Sequence, residues 1–279
     1  VGWRFDLLPC AFLAAAAALY LAGVRRRRKW YPHRAPHAWR SLSFLVGLLA
    51  IALALESPLD AYADRSFSLH MAQHAVLMML AAPALVLGEP LELLLATAPR
   101  ALARAVVVAL RSWPARTARH PVFAWCAFCA VLWGTHYSPL YELALENESV
   151  HQAEHALYLA AALVFWQFAL SNFVVPWAPR PLTHPLRVAY LTSFMPVSAF
   201  LGLSLSASRR VLYPHYLHVA GASAASALDD QRAGGELMWL AGSFVMLVAM
   251  VAVMAQWARE SERQTLRSEG SGCAASEAG

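Results

Sequence analysis

Two histidine pairs carry the most chemistry in this sequence: His70 with His74, and His151 with His155. Each pair is spaced i, i+4, so on a helix both imidazoles share one face. Two such helices facing each other could offer four imidazoles to one centre. His136, on a third apolar run, could add another ligand. Met78 continues the His70/His74 face one turn further, ~6 Å deeper at the helical rise. A thioether in line with imidazoles suits copper(I), because soft ligands select it. Glu154 and Asp230 are carboxylates that could orient an imidazole from behind. His215 is a further candidate donor.

Other chemistries fit parts of the same pattern. A membrane haem protein with bis-histidine ligation needs one histidine from each facing helix, so paired histidines would waste ligands. His151-Gln152-Ala153-Glu154-His155 also fits H-x-x-E-H, the inverted zinc-peptidase pattern, in which the glutamate is the general base. A hydrolase needs a third protein ligand and an open coordination position. Here the helix runs on into an apolar stretch that leaves little cleft for a peptide. A further reading has no metal: the histidines pack polar helix ends in an assembly scaffold.

The elements that must position these residues follow from composition. Apolar residues make up 59% of the 279 and charged residues only 14%, a little over half the charge of a soluble domain. Seven runs are long enough, or nearly so, for the ~20 residues a bilayer needs. They cover roughly 5–24, 38–55, 67–88, 121–137, 150–172, 187–208 and 237–257. The sequence predicts an all-α polytopic membrane protein, a bundle of seven transmembrane helices over residues 1–258. A polar, Gly/Ser-rich stretch, 259–279, reads as a disordered tail. Pro90 and Pro99 interrupt the segment 90–112, where Arg100, Arg104 and Arg111 share one helical face, as in an amphipathic helix on the cytoplasmic surface.

The charges predict sidedness. Arg25-Arg26-Arg27-Arg28-Lys29 follows the first run, and cytoplasmic loops collect Lys and Arg. With the N-terminus outside and the C-terminus cytoplasmic, 17 basic residues fall inside and 5 outside. The first run reads as a retained span, since a signal peptide has its positive charge before the apolar stretch. The net charge of +5 is then a topology signal. A nucleic-acid partner would call for a basic groove with stacking aromatics on a soluble surface, and the sequence offers none. The same topology places His70, His74, His136, His151, His155, His215 and His218 at one membrane face. Cys126 and Cys129 have redox-motif spacing but lie inside an apolar run, where they read as small buried hydrophobes.

Several motifs in order resemble a known family. They begin with His70-Met71-Ala72-Gln73-His74, then Pro83 and Leu87-Gly88-Glu89-Pro90. Next come Trp133-Gly134-Thr135-His136-Tyr137-Ser138-Pro139-Leu140-Tyr141, and His151 through His155 with Trp166 beyond. Leu212-Tyr213-Pro214-His215-Tyr216 precedes Asp229-Asp230-Gln231-Arg232-Ala233-Gly234-Gly235 and Met238-Trp239. Over about 38–257 this resembles the CtaG-type, multi-span cytochrome c oxidase assembly factors. Arg232 stands where that family tends to carry a second glutamine. The resemblance implies a protein of the bacterial plasma membrane that helps build active haem–copper oxidase, at the copper-containing subunits. Together with the histidine pairs it predicts copper as the bound ion. Oxidase subunits, the lipid bilayer and a copper donor protein are the expected partners. Gly234-Gly235 reads as a tight turn or a close helix approach, and Trp239 as an interfacial anchor.

Overall fold

The computed structural model describes residues 6–171, 181–218 and 223–277, with side chains described as far as Arg267. The described part is a bundle of helices. Helix α1, Leu7–Trp30, carries the basic cluster Arg27, Arg28 and Lys29 in its last turn, where cations complement the helix dipole. A short 3₁₀ turn at Pro32–Arg34 leads to α2, Ala38–Glu56. Ser57 accepts from the Leu59 amide and caps α3, Pro58–Ala63.

Helix α4, Phe67–Ala75, runs without a break through a π-helical turn, Val76–Ala81, into α5, Ala82–Leu87. The π turn has an identifiable cause. Pro83 has no N–H, and in an α-helix its ring would press on the carbonyl four residues back. The Ala82 amide bonds instead to the Leu77 carbonyl, five residues back. In that wider register the Met78 carbonyl would need the amide of residue 83, which is the proline. The indole of Trp166 takes the vacant place, donating to the Met78 carbonyl at 2.8 Å.

Next come α6, Pro90–Thr97, and α7, Arg100–Arg111. The segment 90–112 is thus two helices separated at Pro99, and α7 alone carries the three-arginine face. Helix α8, Trp113–Ala118, leads to α9, Pro121–His136, and α10, Leu140–Glu146. Helix α11, Glu148–Leu170, is capped by the Asn147 side chain. Helix α12 is His184–Ser206 and α13 is Ala224–Glu277, with a 3₁₀ turn at Pro214–Leu217 before α13.

Six of these helical stretches are long and apolar enough to cross a membrane: Leu7–Trp30, Ala38–Glu56, Phe67–Thr97, Glu148–Leu170, His184–Ser206 and Ala224–Arg267. The count differs from seven because the run at 121–137 forms a 16-residue helix, Pro121–His136. At the helical rise it is about 24 Å long, short of a ~30 Å hydrocarbon core. The stretch 259–279, expected to be disordered, continues α13 as far as Glu277. It contains no proline to stop the helix, and its Glu, Arg, Ala and Leu residues favour one. Residues 172–180, which contain the end of the fifth run and most of the following inner segment, lie outside the described residues. Cys126 is exposed and Cys129 half-buried, so the first is not the core residue its apolar run suggested.

Apolar side chains such as Leu8, Phe12, Leu19, Phe200 and Phe244 face outward, as a lipid-facing belt requires. Inside, Tyr158, Phe165, Trp166, Phe128 and Phe194 make the central core. Tyr20, Phe44 and Leu85 join α1, α2 and α5. The two ends of the bundle differ chemically. At one end Arg27 pairs with Glu92 at 3.0 Å and Arg40 with Glu89. At the other lie the starts of α4, α11 and α13 and the ends of α2, α9 and α12.

The α12–α13 contact explains the paired glycines. A Cβ on Gly235 would sit 2.6 Å from the Gly202 carbonyl, and one on Gly234 would strike the Phe67 ring. Both lie within α13, so they serve close helix approach and not a turn. Between membrane helices, where lipid is as apolar as leucine, such small-residue contacts carry much of the packing. Trp239 is half-buried against Gly202.

Candidate metal centre

The start of α4 is fixed from outside itself. Asp230, on α13, accepts from the Phe67 amide at 2.6 Å, from the Ser68 amide at 3.4 Å and from the Ser66 hydroxyl at 3.0 Å. It therefore satisfies amides that a helix N-terminus leaves free, and its charge suits the positive end of the dipole. Next to it, Gln231 donates to the Leu205 carbonyl and accepts from the Leu212 amide. One turn along α4, Gln73 donates to the Ala54 carbonyl at 2.9 Å and to Asp60 at 2.8 Å. These ties set the height and rotation of α4 against α2, α3 and α13.

On that helix His70 and His74 face His151 and His155 of α11. All four are buried, between 0 and 6% exposed. One ring nitrogen from each can be chosen so that all four lie within 4.8 Å of one another. The Nε2 atoms of His70 and His74 are 3.0 Å apart. Ring centroids lie 5.0 Å apart for His70 and His151, and 5.2 Å for His74 and His155. Nδ1 of His74 and Nε2 of both His151 and His155 are buried without a hydrogen-bond partner among the described residues. Buried polar atoms are normally paired. Three unpaired nitrogens on four imidazoles packed this closely make the cluster a candidate cation site.

Tyrosines sequence reasoning missed close the cluster. The Tyr141 ring of α10 packs at a tilt 5.2 Å from His70, and its hydroxyl lies 3.2 Å from that of Tyr216. Tyr216 reaches His70 Nδ1 at 3.4 Å. Burial pushes both phenols well above their usual range, so they stay protonated at neutral pH. Tyr158 packs 4.5 Å from His74 and bonds Thr135. The spacing of the tyrosines in sequence carries no sign of this; the motifs Ser138-Pro139-Leu140-Tyr141 and Tyr213-Pro214-His215-Tyr216 are the nearest signal.

Other expected residues stand apart from the four. His136 is buried beside them, but its Nδ1 donates to the Leu132 carbonyl at 2.7 Å. Its Nε2 faces the Met71 sulfur at 3.4 Å. Met71, not Met78, is thus the methionine in contact with a histidine. Met78, inside the π turn, is buried in the central core with Tyr158 and Trp166. Asp230 caps α4 and makes no hydrogen bond to an imidazole among the described contacts. Both oxygens of Glu154 are buried without a hydrogen-bond partner, so it orients no imidazole here. His215 lies outside the cluster, its amide on Glu142 at 2.9 Å and its Nε2 3.1 Å from the Asp64 carbonyl.

A family model described as cytochrome c oxidase caa3 assembly factor matches residues 18–260. The chain belongs to that family. The match takes in every residue of the cluster and of the α13 segment that caps α4. Relatives of this chain include "Uncharacterized protein ML1998" of Mycobacterium leprae, 27% identical over 282 residues. "Uncharacterized protein MT0111" of Mycobacterium tuberculosis and "Uncharacterized protein Mb0105" of Mycobacterium bovis are each 28% identical over 278 residues. Each match covers 96% of this chain but 41% of the relative, so the chain spans about two-fifths of their length. No solved structure gives a significant match.

Proposed function

We propose that this oxidase assembly factor binds copper at His70, His74, His151 and His155 and passes it to a copper-containing subunit of the oxidase. The observation that supports this most directly is the buried set of four imidazoles within 4.8 Å, three of them with an unpaired nitrogen. Neutral imidazole is a good ligand for copper, and the low water access around Tyr141 and Tyr158 favours the cuprous state. The ion is cargo: it enters, rests on the cluster and leaves.

The same geometry weighs against the competing chemistries. The four rings pack directly on one another, with centroids 4.2 to 6.3 Å apart. A porphyrin plane has no room between them. A zinc hydrolase keeps one coordination position open, whereas His151 and His155 here meet two further imidazoles, and Glu154 lies without a partner. These features support binding and delivery as the protein's role.

In this reading α9, with 16 residues near the lower limit for a span, crosses the bacterial plasma membrane beside the six longer helices, with the N-terminus outside. This reading follows the 17-to-5 division of basic residues and puts the histidine end at the outer face. A copper donor protein would meet the same face.

Metal content per chain tests the proposal. Wild-type protein purified with copper present is expected to hold about one ion, while His70→Ala/His74→Ala and His151→Ala/His155→Ala hold almost none. Equal, negligible copper in all three would overturn it. Oxidase activity in a strain lacking this protein and any paralogue tests the assembly role separately. Full activity there would remove it.

A further inference from the structure

Beside the cluster lies a cavity of about 300 Å³, bounded by the start of α1, the end of α2, α3 and the start of α11. Its polar wall holds four carboxylates, Asp6, Glu56, Asp60 and Glu148, together with His151 and His155. No lysine or arginine is among its described lining residues. Acidic residues in company are ordinary on a surface and prove little alone. The independent feature is that His151 and His155, each more than nine-tenths buried and each with an unpartnered Nε2, line this cavity as well as the cluster. Glu56 is itself buried, and accepts from the Asp6 amide at 2.8 Å.

A second, wider groove of about 630 Å³ lies on the other side of α11's first turn, lined by Asp64, Arg65, Glu146 and His215 among others. Glu148 and His151 line both spaces. The carboxylates unique to the narrower cavity, Asp6, Glu56 and Asp60, sit in surroundings that are otherwise apolar, with Phe12, Ile51 and Leu159 among them. Low-dielectric walls strengthen the field of like charges and raise the local cation concentration.

We propose that the cavity lined by Asp6, Glu56, Asp60 and Glu148 is the vestibule through which a transition-metal cation reaches the four-histidine cluster, with His151 and His155 as its first imidazole ligands. This rests on the copper-binding reading of that cluster. Carboxylates hold a soft monovalent ion weakly, so they concentrate it without trapping it. Imidazoles then take it over, and the ion passes from His151 and His155 to His70 and His74. The carboxylates thus act on the rate of loading and leave the capacity of the site unchanged.

The test uses the full-length protein in detergent and copper(I) under anaerobic conditions, supplied from a coloured chelate whose bleaching reports transfer. For Glu56→Gln/Asp60→Asn the expected result is loading about tenfold slower than wild type, with the final copper per chain unchanged. Glu148→Gln, at an exposed position and safe for folding, is expected to slow loading in the same direction. Asp64→Asn/Glu146→Gln, confined to the wider groove, is expected to load at the wild-type rate. Raising the salt concentration should slow wild type and narrow the gap to the neutralised variants. Wild-type loading rates in both vestibule variants overturn the vestibule, even though the cluster binds copper. A wild-type protein that takes up no copper at all overturns the binding reading beneath it.

Discussion

His70 and His74 bring their Nε2 atoms to 3.0 Å on successive turns of one buried helix. At that separation two lone pairs cannot face each other unshielded: either one nitrogen carries a proton toward the other, or both turn to a shared cation. His70 can settle as the donor because Tyr216 lies 3.4 Å from its Nδ1. On the copper reading proposed above, a bound ion would replace this internal N–H···N contact and draw on the unpaired nitrogens opposite. Copper(I) at a hundredfold excess over its Kd is expected to stabilise the folded protein by about 2.7 kcal/mol, seen as a higher Tm. The His70→Ala/His74→Ala variant should show no such gain. A copper-independent Tm in wild type would count against the site.

The Trp166 indole donates to the Met78 carbonyl, which in the register of the π turn would face Pro83. Trp166→Phe keeps an aromatic ring in the core but leaves that carbonyl unsatisfied. The expected loss is about 1–3 kcal/mol, measured by thermal unfolding in detergent. A loss no larger than for an exposed substitution such as Phe244→Leu would show that the π turn stands without the indole.

Asp230 touches no imidazole, yet it holds the first amides of the helix that carries His70. Asp230→Ala is expected to lower stability by about 0.5–2 kcal/mol, the usual scale of a lost N-cap. It should also weaken copper retention at limiting metal, with Asp230→Asn falling between the two. Unchanged stability in Asp230→Ala would separate the carboxylate from the positioning of α4.

Asp60 gives a pH signature. Its burial pushes the carboxyl above the usual carboxylate range, and the hydrogen bond from Gln73 opposes this. The folded protein then holds that proton more tightly than the unfolded chain does. Stability contributed by the group is full below the unfolded Asp value and falls as pH rises through the raised folded value. Above that window the buried charge is a standing penalty. Asp60→Asn keeps an oxygen for Gln73 without the charge. Its Tm is expected to equal or exceed wild type at pH 7, with the advantage vanishing at acid pH. A variant less stable than wild type across the whole range would contradict this.

The sequence carried a good deal of this. Long apolar runs alternate with polar breaks, and the length a bilayer demands is a local property that can be read from one stretch at a time. The i, i+4 spacing is local too, so each histidine pair was legible as one helix face. The run at 121–137 was not resolved by composition, because Pro121 and the turn after His136 cut it to a length near the limit. Met78 lies in the core with Tyr158, the residue that packs against His74. The π turn that begins at Val76 was not legible, because spacing assumes an unbroken α register.

What the sequence by itself determined is a helical membrane protein of this family, with two histidine pairs at like positions on two helices. Only the tertiary structure decided that those two helices face each other, that His136 bonds its own helix, and that Asp230 caps α4 from a point more than 160 residues away in the chain. The physical reason is range. Hydrophobic length and helical period act within a few turns, while the partner of a buried nitrogen depends on which distant helices pack closely enough to reach it. Here that choice rests on Gly202 and Gly235, on Gln73 bound to Asp60, and on one indole filling the gap a proline leaves.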